Sequence, residues 1–137
     1  MKYASELVRL MSKAQRVEWA IWFAEEVIGI FEKEHPDDSR PRDAINVAKA
    51  WLSDPTKENT ANAYDAYTAA VDAVVGDTDI TKIIRQIASN AAASVIADAG
   101  SGTFATSSVM VANMVIKDHE KVLRKGADIL NNKKELK

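Results

Sequence analysis

The run Glu32, Glu34, His35, Asp37 and Asp38 places four carboxylates and one imidazole within a single short segment. Those are the donors that bind zinc, manganese or iron. Three features weaken that reading: no second histidine lies nearby, the two glutamates point to different faces of a helix, and Pro36 separates them from the loop acids. Capping and loop electrostatics account for the cluster better, so neither a metal nor any other cofactor is expected. Arg40 and Arg42 follow at once and could grip a phosphate or a carboxylate in bidentate fashion. They also fall in the first turn of a helix, where a cation opposes the helix dipole and an acid must compensate. Asp37, Asp38 and Asp43 are the natural local partners, and with Trp51 they make a structural hub. Gly100-Ser101-Gly102-Thr103 before a helix resembles an anion cradle. It lacks the lysine of a P-loop and follows no strand, so it reads as a turn. His119 lies on an apolar stripe with no nucleophile or acid partner in view, which suits a core histidine and suggests no enzyme.

These residues hang on helices. Val17, Ala20, Ile21, Ala24, Val27, Ile28 and Phe31 recur at the spacing of one buried helical face over 14–34, and Trp19, Phe23 and Ile30 widen it enough to suggest a central helix. Pro36 disfavours helix at His35 and stops it. Asp38 or Ser39 can cap a new helix, with Pro41 tolerated in its first turn and Ala44, Ile45, Ala48, Trp51 and Leu52 inward, until Ser53-Asp54-Pro55 closes it. A helix over 56–75 buries Ala63, Ala66, Tyr67, Ala70, Val71 and Val74 and stops at Gly76. Another over 79–99 buries Ile80, Ile83, Ile84, Ile87, Ala88, Ala91 and Val95. The last, over 104–130, turns Val109, Ala112, Ile116, Leu123 and Leu130 inward and has a possible break near Asp118 or Gly126. A short helix over 5–11 precedes them all, and the polar tail 131–137 frays. Ala91-Ala92-Ala93 and the small residues from Ala105 to Ser108 allow close helix approach. The fold class is therefore all-α, a compact single-domain bundle of about five or six helices over 1–137.

With 137 residues, 47% hydrophobic and 28% charged, the chain suits one globular domain. It has no cysteine, which fits a reducing compartment, and neither a long apolar run nor a basic-apolar leader. A cytoplasmic protein that does not enter membranes is expected. Net charge is only -2, against general nucleic-acid binding. The charge is nevertheless uneven. From Glu58 to Asp79 there are five acids and no lysine or arginine, whereas from Lys117 to Lys137 seven bases face four acids. Two heptad-spaced acid stripes stand out: Glu18, Glu25 and Glu32 beside Trp22, and Glu58, Asp65 and Asp72 beside Tyr64. Acids around an aromatic suit steering toward a basic partner with a desolvated anchor, which selects Glu18, Trp22, Glu25, Tyr64, Asp65 and Asp72 as partner contacts.

The segment "WAIWFAEEVIGIFEKEHPDDSRPRDAINVAKAWL" also resembles the immunity proteins of bacterial polymorphic toxin systems. The resemblance rests on Trp19-Ala20, Ala24-Glu25, Val27, Phe31-Glu32, Pro36, Asp38, Arg40-Pro41-Arg42, Ala44-Ile45, Ala48 and Trp51, about a quarter of the chain. The chain departs from that pattern in carrying Phe23 at a position otherwise small or cysteine, and in having no histidine between Asn90 and Asp98. The resemblance implies an all-helical, non-catalytic inhibitor that binds a basic toxin or enzyme domain. The alternatives are a phage or mobile-element inhibitor of a host enzyme on the same scaffold, and a small metal-dependent helical enzyme or regulator centred on His35, Asp37 and Asp38.

Overall fold

The computed structural model describes residues 10–72, 79–96 and 119–132. They form five helices: α1 (Lys13–Glu34), α2 (Arg40–Ser53), α3 (Lys57–Asp72), α4 (Asp79–Ile96) and α5 (His119–Asn132). There is no strand among the described residues. Residues 5–9 of the helix expected over 5–11, the Gly76 stop, the Gly100–Thr103 turn, the stretch 104–118 and the tail beyond 132 lie outside them.

Helix α1 starts on a reciprocal cap. Ser12 Oγ accepts from the Gln15 N–H at 3.2 Å, while Gln15 Oε1 accepts from the Ser12 N–H at 2.9 Å. Each bond satisfies an amide that a helix start leaves without an intrahelical partner. The same Gln15 is buried and donates its Nε2 to the Ile129 carbonyl at 3.1 Å, tying the start of α1 to the last turn of α5. His35 ends α1 by donating its N–H to the Phe31 carbonyl at 2.8 Å, immediately before Pro36. Between the caps, every residue assigned to the core face is buried, as are Trp19 and Phe23.

Ile30 is the exception, 41% exposed although it shares its side of the helix with Trp19 and Phe23. Helix α5 covers that side. Its Ile129 sits opposite Gln15, its Gly126 opposite Trp19 and its Lys121 opposite Glu26, so it runs antiparallel to α1 and begins at His119, short of Ile30. One turn beyond Glu26, the described helices provide no cover.

Asp38 caps α2, its carboxylate accepting the Arg40 N–H at 3.1 Å. Ser39 stands at the cap position but makes no cap bond; its hydroxyl donates to Asp43 at 3.1 Å instead. Ala44, Ile45 and Ala48 are buried, while Trp51 and Leu52 are half-buried against the core. Helix α3 begins on Thr56, whose Oγ1 accepts from the Asn59 N–H at 3.1 Å, and Asn59 Nδ2 donates to the Asp54 carbonyl at 2.7 Å across the turn. Ala63 and Ala70 of α3 are buried, with Ala66 and Tyr67 partly so.

Helix α1 is central, as its wide apolar face suggests, packing on α2, α4 and α5, and α4 is the most continuously buried. Every residue from Ile87 to Val95 is buried, including Ser89, Asn90 and Ser94. The hydroxyls of Ser89 and Ser94 donate to carbonyls one turn back, at 2.9 and 2.6 Å, which makes their burial tolerable. Helices α4 and α2 pack on each other, and both contact α1 on one side and α3 on the other. Small side chains explain this placement: Ala88, Ala91, Ala92 and Ala93 let three helices approach α4, and no charged residue falls between Arg85 and Asp98. By contrast α1 keeps a polar strip.

Helix α5 docks on α1 and passes through Gly126 without a break. A Cβ there would lie 2.6 Å from Trp19 Cζ2 and 2.8 Å from Cε2, so glycine is what allows the contact. Trp19 is fully buried, stacks obliquely on Phe23 at 5.1 Å, and its N–H meets no acceptor among the described residues. Ile129 is buried beside it.

Candidate functional site

The α1–α2 joint collects the acids and arginines noted in the sequence. Arg40 grips Asp38 through Nε at 2.8 Å and Nη2 at 3.0 Å. Arg42 turns instead to α1, where Nε and Nη2 meet the two oxygens of Glu32 at 3.0 and 2.6 Å. The loop acids are therefore not its partners. From the first turn of α2, Arg42 reaches across to the preceding helix. Asp43 takes the Ser39 hydroxyl, and Asp37 is exposed. One helical stretch further on, Lys49 of α2 pairs with Glu25 of α1 at 2.5 Å. Two charge pairs thus bridge α1 and α2 in register. Trp51, with the Lys13 ammonium 5.2 Å from its ring centroid, adds a third contact between them.

The electrostatics follow from these bonds. Hydrogen bonding from Arg42 holds the Glu32 carboxyl below the ordinary glutamate value, and the same bond raises Arg42. Arg40 does likewise for Asp38, lowering it through the side-chain bond first. His35 packs its ring on Phe31 at 5.0 Å and accepts the Asp38 N–H on its carbonyl at 3.1 Å. Among the described residues, no three His, Asp or Glu side chains are grouped to hold a metal ion. Chemically the joint can lock an angle between helices.

The two acid stripes fare differently. On α1, Glu18 is exposed, while Glu25 and Glu32 are engaged by Lys49 and Arg42. Trp22 is half-buried, edge-on to Phe23 at 5.5 Å, and the Lys121 ammonium of α5 sits 5.8 Å from its centroid while also pairing with Glu26 at 3.3 Å. On α3, Tyr64 is 58% exposed, and Glu58 and Asp65 are exposed beside it. The Asp72 side chain and the His119 side chain lie outside the described set. Since α2 and α4 stand between α1 and α3, the Trp22 and Tyr64 faces form separate surfaces.

Sequence reasoning missed Gln15, Lys49, Lys121 and Gly126 as contact-makers. Ser12-x-x-Gln15 was readable as a capping box. The other three act across helices and leave no local signal.

The described residues make a small all-α bundle with a charge-locked joint and an exposed aromatic near acids, and none of its helices is long and apolar enough to cross a membrane. The chain is a member of the Imm-5 like putative immunity protein family, whose pattern matches residues 6–106. That span encloses α1 to α4 and ends before α5. No curated protein and no solved structure matches the chain.

Proposed function

We propose that the chain is an immunity protein that neutralises a cognate toxin by binding and blocking it, with no bond made or broken. Its site of action on this reading is the cytoplasm of the cell that makes it, and its partner is a basic toxin domain. Family membership over most of the chain is the observation that carries the reading. The candidate contacts Glu18, Trp22, Glu25, Tyr64, Asp65 and Asp72 support it, because acids around aromatics give both steering and an anchor.

The test is growth rescue. The toxin domain encoded beside this gene is expressed with and without the chain. Restored growth, together with recovery of a complex of the two purified proteins, is the expected result. A chain that neither restores growth nor binds that domain ends the proposal.

A further inference from the structure

We infer that the outer face of α3, centred on Tyr64 with Glu58 and Asp65, is the surface that takes the toxin, and that its occupant is a lysine- or arginine-rich protein surface with a recess for the tyrosine ring. The inference rests on the immunity reading above.

The two acid stripes look alike as sequence and differ as surfaces. On α1 the charge is bracketed by cations of the fold itself: Lys49 and Arg42 from α2 on Glu25 and Glu32, and Lys121 from α5 on Glu26 and over Trp22. A partner docking there would have to displace those contacts or accept a strip already neutralised. On α3 the charge is open. Among the described residues, neither Glu58 nor Asp65 meets a cation. The sequence places no lysine or arginine from Glu58 to Asp79. The nearest cation on the helix, Lys57, adjoins Glu58 in sequence without pairing with it and stands two turns before Tyr64, about 10 Å along the axis.

Tyr64 itself is 58% exposed. Its outward neighbours one turn either way, Ala61 and Thr68, are small, and the Thr68 hydroxyl is turned back to the Tyr64 carbonyl at 3.0 Å. The ring therefore stands clear of its surroundings with little local polar competition. An aromatic that can be buried with its hydroxyl at the rim is a frequent anchor of protein interfaces. Acids without an ion-pair partner along one side of it favour a basic partner and speed its approach.

The experiment uses the full chain and a catalytically inactivated form of the toxin domain encoded beside it. Binding is measured for wild type, Tyr64→Ala, the pair Glu58→Lys with Asp65→Lys, the pair Glu18→Lys with Trp22→Ala, and Asp128→Lys as a charge-reversal control on α5. Circular dichroism verifies the helical content of each. Tyr64→Ala is expected to weaken binding by about 30-fold or more. The α3 reversal slows association at low salt, and the difference fades as salt rises; Asp128→Lys stays near wild type. If wild type binds and the α3 variants bind equally well, or the loss falls on the Glu18 and Trp22 pair alone, the inference is overturned while the immunity reading stands. Failure of wild type itself to bind removes both.

Discussion

Gly126 and Gln15 show how much single residues contribute to this bundle. Replacing a mid-helix glycine by alanine ordinarily helps a helix by about 1 kcal/mol. Here the added methyl would meet the Trp19 ring at 2.6 Å, and the ring is fully buried with nowhere to yield cheaply. Gly126→Ala is therefore expected to destabilise, by about 1–3 kcal/mol from overpacking, and urea melts will show whether the sign is negative. Trp19→Leu in the same background should recover part of the loss, the non-additivity expected of two residues in contact. Gln15→Ala removes a cap bond and the bond to the Ile129 carbonyl together, at a cost of about 1–3 kcal/mol; a melting temperature unchanged from wild type would contradict the clamp. The Ser12–Gln15 cap could be read from four adjacent residues. Trp19 against Gly126 could not, because the two come from opposite ends of the described chain and glycine gives no sign of what it faces.

Between helices, the Glu32–Arg42 pair makes the joint sensitive to acid. Arg42 holds the Glu32 carboxyl below its ordinary value of 4.5 in the fold. The pair's contribution is therefore complete above that value, where the unfolded chain is ionised too, and is lost as pH falls through the lower folded value. Asp38 with Arg40 behaves in the same way below its ordinary 3.8. Both pairs are substantially exposed, so each contributes at most about 1 kcal/mol. Denaturant melts should show Glu32→Gln less stable than wild type at neutral pH, with the gap closing as the pH is lowered stepwise below 4.5. A gap that persists in acid would mean that the pair is not its source. Periodicity located the helices well: 14–34 became Lys13–Glu34, and Pro36 and Pro55 marked two stops. The wide apolar face marked α1 as central, and it packs on α2, α4 and α5; that α4 is as enclosed was harder to read, because its charge-free run of small residues lets α1, α2 and α3 close around it without a large apolar signal.

At the scale of the whole molecule, the all-helical class and the family were legible because the Asp38-x-Arg40-Pro41-Arg42 joint is built from local signals that also fix the scaffold. The proposed binding face was only half legible. Heptad-spaced acids mark a surface helix wherever they occur, and whether a neighbouring helix answers them with lysine or arginine is a property of the assembled bundle. If toxin capture relies on steering, its association rate should fall steeply with ionic strength while dissociation changes little. Stopped-flow measurements across a salt series would show it, and a flat association rate would count against a basic partner. The glycine seat under Trp19 also has a spectroscopic use. Of the three tryptophans, only Trp19 is sealed from water, while Trp22 and Trp51 are half-buried. With those two changed to phenylalanine, the remaining indole would emit at short wavelength while α5 stays docked and shift to the red when it lifts. The chain thus carries its own optical gauge of that helix, one able to tell whether a partner bound at the proposed α3 face would leave α5 in place.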